Sequence, residues 1–170
     1  MDAYLAIVSK REIRRFSDRP IDTDPRRRIL EAARVSGSSA NKQQRRFIVV
    51  ESRDKRERLA ELVYTASNIQ GAKLIVVVAV SGKGPGGFDA GRAAQNMMLA
   101  AWNEGIGSCP NGMPDREAVG STLGLHAGEE PAIVLTFGYP ARPVDPESRP
   151  PEEWIRRANR KDFDEVVETV

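Results

Sequence analysis

A continuous apolar run at residues 73–80, KLIVVVAV, constrains the fold of this chain more than any other segment. Valine and isoleucine dominate the run, and glycines lie just outside both of its ends. An unbroken apolar run of this length, without polar alternation, is typical of a strand in the middle of a sheet. The sequence therefore predicts a central β-strand here, around which the other elements are arranged.

Two further strands are predicted at residues 46–51, RFIVVE, and at residues 132–137, AIVLTF. Helical spacing or a proline start predicts helices at residues 4–8, 25–35, 53–64, 89–103, 116–123 and 154–157. Residues 105–115, GIGSCPNGMPD, are predicted to form a loop. Strands that alternate with helices in this order indicate an α+β or α/β sandwich.

The size of the chain predicts one domain, because 170 residues with 40% hydrophobic content supply a single core. No apolar run approaches the ~20 residues that a membrane span needs, so no membrane association is expected. The amino terminus is acidic and then basic, unlike a signal peptide, and Cys109 is the only cysteine. These features predict a cytoplasmic protein. The core is thin for the number of elements, so a tail that reaches a second subunit, in an obligate dimer, is also expected.

Few residues are available for catalysis by side chains. One histidine, His126, and one cysteine exclude a zinc cluster, and the carboxylates do not have metal-ligand spacing. The motifs GxSxG, GxxxxGK[ST] and GxGxxG are missing, and KGPGG at residues 83–87 is interpreted as a flexible turn. A nucleophile pair of Cys109 and His126 is an alternative, although single residues of these types are more often structural.

Basic residues are concentrated near both ends of the chain. Residues 10–28 contain eight Lys or Arg against four Asp or Glu, and residues 149–161 contain five against two. Such clusters form a solvated face, a phosphate site or a nucleic-acid site. Arginine forks bind phosphate oxygens in pairs, and a chain without a catalytic constellation is typical of a protein whose cofactor carries the reactivity. A phosphate-bearing organic cofactor is therefore predicted.

Several segments, in order along the chain, resemble those of one family. KREIRRF at residues 10–16 resembles the RRSxRxF segment of FMN-dependent nitroreductases, and residues 38–50, SSANKQQRRFIVV, are similar to PSxxNxQPWRFIVV. Residues 89–112, DAGRAAQNMMLAAWNEGIGSCPNG, resemble the central helix and flavin-facing loop of that family. Residues 130–141, EPAIVLTFGYPA, and residues 158–167, ANRKDFDEVV, are similar to its last strand and its basic tail.

The resemblance implies a fold and an activity. The fold would be α+β, a nitroreductase-like α/β/α sandwich with a mainly antiparallel central sheet, in a domain-swapped homodimer. Residues 1–170 would form one FMN-binding domain, whose tail, about residues 141–170, reaches across the dimer. NADH or NADPH would pass hydride to flavin N5, and a nitroaromatic, a quinone or a similar flat acceptor would then take its place in a ping-pong cycle. No catalytic side chain is required.

The resemblance also implies which residues bind the FMN phosphate and the ring edge. Lys10 and Arg11 would hold the phosphate, together with Arg160 and Lys161 from the tail. Arg14 would lie near the pyrimidine edge, where its positive charge stabilises the anionic reduced flavin. Glu12 belongs to the same segment and stands where the family usually has serine, so its carboxylate must turn away from the phosphate.

Two other segments are implied to contact the flavin itself. The ring and the ribityl chain would meet residues of the partner subunit, namely Ser39, Ala40, Asn41 and Gln43. A loop of Pro110, Asn111 and Gly112 would direct backbone N–H groups at flavin N5 and O4.

The chain also departs from the family pattern in the dimer region and near the pocket. Gln44 and Arg45 replace the usual Pro-Trp, which removes an aromatic anchor, and residues 64–73 are short, which implies an open pocket. One alternative function is another flavin-dependent reaction, such as dehalogenation, ring fragmentation or oxidation of a bound substrate. A second is a basic nucleic-acid-binding module, but an aromatic content of 6% provides few stacking platforms.

Overall fold

The computed structural model describes all of residues 1–170, which form two compact units. The larger unit contains residues 11–144, and the smaller unit combines residues 1–10 with residues 145–170.

A four-stranded antiparallel sheet lies at the centre of the larger unit. Its strands are β1 (Arg45–Val49), β2 (Leu74–Ser81), β3 (Gly107–Asn111) and β4 (Glu129–Gly138), in the spatial order β1-β2-β4-β3. Strand β2 pairs with β1 on one side and with β4 on the other. The central strand predicted from the apolar run at residues 73–80 is therefore confirmed.

Helices cover both faces of this sheet. Along β2, the side chains of Val76 and Val78 belong to one hydrophobic cluster, whereas those of Ile75 and Val77 belong to another. Helices α2 (Thr23–Arg34) and α5 (Gly86–Asn103) cover the first face, and α3 (Arg53–Glu61), α4 (Ala66–Gln70) and α6 (Arg116–Leu123) cover the second. Because β2 is apolar on both sides, it can be buried between two helical layers. The predicted α+β fold with an α/β/α sandwich is confirmed.

The prediction of a loop at residues 105–115 was wrong in part, because β3 lies within it. Gly107 and Pro110 made the segment look irregular, but β3 is an edge strand, where a missing amide donor is tolerated. Residues 10–16, which we call the basic segment, extend this edge, since the Ile13 amide donates to the Ser108 carbonyl at 2.9 Å. A Cβ on Gly107 would lie 2.6 Å from the Ile13 side chain, so this close approach requires glycine.

Helix α5 packs many small side chains. Ala90, Ala93, Ala94 and Ala101 are all buried in the cluster that α5 shares with α2 and the sheet. Small side chains let neighbouring backbones approach closely, as the sequence predicted. The helix begins at Gly86, three residues before the predicted start.

In the smaller unit, α1 (Ala3–Ser9), α7 (Pro151–Arg157) and α8 (Phe163–Val166) are short. Trp154 on α7 is buried, and its indole N–H donates to the Pro146 carbonyl at 2.8 Å. The last ten residues are all exposed, including Phe163, which is 72% exposed.

None of the helices in the structure combines the length and the apolar character that a membrane span requires.

Candidate functional site

Residues 38–43 form a loop in an unusual backbone conformation. Ala40, Asn41 and Gln43 have φ angles of 47°, 52° and 54°, in the left-handed region. This region costs an ordinary L-residue roughly 1–2 kcal/mol. All three side chains are exposed, as is that of Ser39. Four predicted flavin contacts are therefore brought together on one strained, solvent-facing loop, and strain of this kind is typical of functional sites.

The Arg45 guanidinium and the Asp89 carboxylate hold this loop from behind. Arg45 donates to the carbonyl oxygens of Ser36 (2.6 Å), Gly37 (3.1 Å) and Asp89 (3.0 Å). The buried Asp89 carboxylate accepts the Ser39 amide N–H at 3.0 Å and 3.3 Å. We call Arg45 and Asp89 the loop clamp. Its hydrogen bonds fix the chain where it enters the strained turn.

Sequence reasoning missed the role of both clamp residues. Arg45 was noted only because it replaces an aromatic residue of the family pattern, and Asp89 only as the start of a helix. A usable signal in the sequence was the spacing that places acidic Asp89 on the same helix face as Ala93 and Met97, because a carboxylate on an apolar face seldom lacks a hydrogen-bonding role.

Behind the predicted loop of residues 110–112, a buried amide network anchors Asn111. Asn111 is 4% exposed, and its side-chain Oδ1 accepts from Asn68 Nδ2 at 2.7 Å. Its Nδ2 donates to the Cys109 carbonyl at 3.0 Å and to Thr136 Oγ1 at 3.2 Å. The side chain of Asn111 thus points into the protein and holds the segment from behind. The contribution of Asn68, from α4, was not predicted.

Gly112 ends this segment and remains exposed. Its carbonyl accepts the Tyr64 amide at 3.2 Å, whereas its own N–H donates to no other backbone group. A Cβ at Gly112 would lie 3.1 Å from the Tyr64 ring, which is itself 74% exposed. Pro110 has no amide N–H and exposes its ring, and Asn111 is buried in β3, so the exposed backbone donor of this segment is the Gly112 N–H.

The basic segment is divided between the two units. Lys10 ends α1 in the smaller unit, and Arg11 begins the larger unit; both are half-buried. Glu12 pairs through its backbone with Ser108, and its side chain is exposed. The exposed Arg14 forms no side-chain hydrogen bond or ion pair in the chain.

The two basic tail residues of the predicted site, Arg160 and Lys161, are exposed in the smaller unit. The Arg160 guanidinium donates to the Ala158 carbonyl at 2.8 Å, beside Asn159, whose φ is 50°.

The alternative pair of Cys109 and His126 is not formed. Cys109 is buried in β3, 3.9 Å from Asn68 Nδ2, whereas the largely exposed His126 imidazole lies 3.6 Å from Glu129. Hydrogen bonds from Arg46 hold the pKa of the Glu129 carboxyl at about 2, with a further contribution from the His126 amide. No group of three or more His, Cys, Asp or Glu side chains is arranged to hold a metal ion.

The chain matches the model of the nitroreductase family over residues 7–82 and 87–139. A protein of Methanothermobacter thermautotrophicus, provisionally described as an NADH dehydrogenase/NAD(P)H nitroreductase, is 30% identical over 150 residues, which cover 83% of this chain and 78% of that protein.

Solved structures share the fold. The crystal structure of a nitroreductase family protein from Clostridium difficile 630 matches with a TM-score of 0.83 at 21% identity, over 99% of this chain and 98% of the other. An FMN-dependent nitroreductase from Clostridium difficile R20291 matches with a TM-score of 0.76 at 22% identity, over 85% and 90% of the two chains.

Proposed function

This chain belongs to the nitroreductase family, and from that premise we propose that it is an FMN-dependent oxidoreductase. It takes hydride from NADH or NADPH and reduces a flat acceptor, a nitroaromatic or a quinone, in a ping-pong cycle. It works as a homodimer in the cytoplasm, where reduced nicotinamide nucleotides are available. Each partner supplies residues to the other's flavin site, and the tail, about residues 141–170, reaches across the dimer.

The observation that carries this proposal is the exposed backbone at Gly112. An amide N–H without a backbone partner, on a residue without a side chain, can approach the ring of a flavin closely. The Asn111 network holds the segment in place, so the donor is oriented before any ligand arrives. The residues present therefore fit a flat heteroaromatic cofactor with hydrogen-bond acceptors at its edge.

The charged residues fit the other parts of FMN. Lys10 and Arg11, with Arg160 and Lys161, would hold the phosphate, because it carries close to two negative charges and binds guanidinium forks in pairs. Glu12 contributes through its backbone, which fixes the segment on β3. Arg14 would place a positive charge near the pyrimidine edge of the ring. Its guanidinium is available because no carboxylate of the chain pairs with it.

The loop of residues 38–43 would meet the ring and ribityl chain of the FMN that is bound mainly by the partner subunit. Its contact residues would be Ser39, Ala40, Asn41 and Gln43. The loop clamp keeps this surface in one conformation, which lowers the entropy lost when the cofactor binds. Bound flavin accepts and donates hydride equivalents, and the protein binds it, orients it and tunes it by charge and hydrogen bonds. No side chain of the site is assigned as a proton donor, since an acceptor can take its proton from solvent.

The double substitution Lys10→Ala/Arg11→Ala tests the phosphate assignment. Each lost charge-assisted hydrogen bond costs about 1.5–3 kcal/mol, so the Kd for FMN should rise at least about 100-fold. Fluorescence titration with FMN measures this, and Arg27→Ala/Lys55→Ala, which removes two exposed charges elsewhere, is the control. FMN affinity equal to that of the control would refute the assignment.

A further inference from the structure

An open groove with a volume of ≈ 490 Å³ lies beside the basic segment. Residues 12–15 form one wall, and residues 140–142 with Val144 form the other. The Ala141 amide donates to the Arg15 carbonyl at 3.0 Å, and the Ser17 amide donates to the Tyr139 carbonyl at 2.8 Å. Backbone hydrogen bonds therefore fix the two walls relative to each other, and both belong to the larger unit.

Positive charge in this groove is not neutralised by the chain. Arg14, Arg15 and Arg142 line it, all three are exposed, and none forms a side-chain hydrogen bond or ion pair. Many other guanidinium groups are paired; Arg28 binds Glu104, for example, and Arg46 binds Glu129. Three unpaired guanidinium groups against one lining carboxylate give the concavity a positive potential that attracts anions.

We propose that this groove binds the adenosine 2′-phosphate of NADPH, through Arg15 and Arg142, and that the enzyme consequently prefers NADPH to NADH. This inference rests on the proposed function. FMN has one phosphate, which is assigned to Lys10, Arg11 and the tail, so Arg15 and Arg142 serve a different anion. NADPH differs from NADH only by a phosphate that is largely dianionic at neutral pH. Two guanidinium forks on facing walls suit such a group.

Binding of adenosine 2′,5′-bisphosphate is the first test, because it requires no turnover. Calorimetry on the FMN-reconstituted protein should show binding at least about tenfold tighter than that of 5′-AMP, since one additional charge-assisted contact is worth that much. In Arg15→Ala/Arg142→Ala the two ligands should bind alike. Arg27→Ala/Arg116→Ala, which removes two exposed charges outside the groove, should retain the difference.

Steady-state kinetics give the second test. In Arg15→Ala/Arg142→Ala, the KM for NADPH should rise at least about tenfold, while the KM for NADH and the Kd for FMN stay within about twofold. Equal binding of the bisphosphate and 5′-AMP by the unaltered protein would overturn the proposal. A higher Kd for FMN in the variant would also overturn the proposal, because the groove would then hold the flavin phosphate. A protein that binds the bisphosphate but oxidises no reduced nicotinamide would refute the proposed function and leave the groove as an anion site.

Discussion

At the scale of single residues, Arg45 has the clearest structural consequence. Its guanidinium ties three carbonyl oxygens from two parts of the chain, residues 36–37 and Asp89, at the entrance to the left-handed turn. An aromatic residue at this position would stabilise the region by apolar contact. Here a charged donor achieves the same by hydrogen bonding within one subunit, so the missing aromatic anchor does not leave the loop unsupported.

Replacing Arg45 with methionine keeps most of the aliphatic stem and removes every donor. We expect the free energy of unfolding to fall by about 2 kcal/mol, because water can replace part of the lost bonding. FMN affinity should also fall, because residues 38–43 would no longer be held in their left-handed conformation. Urea unfolding and FMN titration measure the two effects. The control Arg27→Met, on the exposed face of α2, should change neither the free energy of unfolding nor the FMN affinity. An Arg45→Met variant with the same stability and FMN affinity as this control would show that the clamp is dispensable.

Gly112→Ala should separate stability from cofactor contact. The new methyl group would lie 3.1 Å from the Tyr64 ring, but that ring is exposed and can move. The free energy of unfolding should therefore change by less than about 1 kcal/mol. The rate of flavin reduction should fall at least about tenfold, because the methyl group would block the approach of the ring to the Gly112 amide.

Gly91→Ala, where nothing lies within 4 Å of the added Cβ, is the matched control. It should stabilise α5 by up to about 1 kcal/mol and leave flavin reduction unchanged. Stopped-flow absorbance at the flavin band measures the rate. Equal rates in the two glycine variants would exclude a contact between Gly112 and the flavin.

At the scale of elements, an ion pair connects β1 with the start of β4 across β2. The Arg46 Nε donates to Glu129 Oε1 at 2.9 Å, and the His126 amide donates to the same carboxylate. Because the pKa of Glu129 is lowered to about 2, its contribution to stability is fully present above the usual carboxyl pKa. It is lost as the pH falls through that range toward 2.

Glu129→Gln should therefore lower the free energy of unfolding by about 1 kcal/mol at pH 7, since the partner guanidinium is partly solvated. The difference from the unaltered protein should diminish between about pH 4.5 and pH 2.5. Denaturant unfolding at a series of pH values measures it. A difference independent of pH would contradict this origin of the effect.

The elements that the sequence predicted are those with strong apolar patterns. Strands β1, β2 and β4 and the long helices were expected because their own residues carry the signal. Strand β3 was missed because GSCPN has no β-branched residue, and its pairing with β4 depends on distant residues. The five-residue helix α4 was missed as well, although it carries Asn68 into the site.

For the candidate site, the sequence predicted the segments but not what holds them. Family resemblance pointed to residues 38–43 and 110–112, yet the left-handed φ angles and the buried Asn68–Asn111 contact are set by tertiary packing. Hydrogen bonds between residues 40 or more positions apart, such as that between Ser39 and Asp89, leave no local pattern in a single sequence.

At the scale of the whole molecule, the proposed homodimer makes a prediction about mass and about the tail. Light scattering should give twice the chain mass of 18.7 kDa. Removing residues 159–170, which are all exposed, should weaken FMN binding at least about tenfold because Arg160 and Lys161 are lost. The melting temperature of the apo-protein should change little. A monomeric protein, or a shortened chain with unaltered FMN affinity, would contradict the arrangement.

The central claim is that this protein binds FMN and that reduced nicotinamide reduces it. The most direct test is an anaerobic titration of the FMN-reconstituted protein with NADPH and with NADH, in which the absorbance from 300 to 550 nm is recorded after each addition. We predict a flavin spectrum that is altered by the protein and that bleaches on addition of reduced nicotinamide, faster with NADPH. A protein that takes up no flavin, or a bound flavin that stays oxidised with both nucleotides, would contradict the claim.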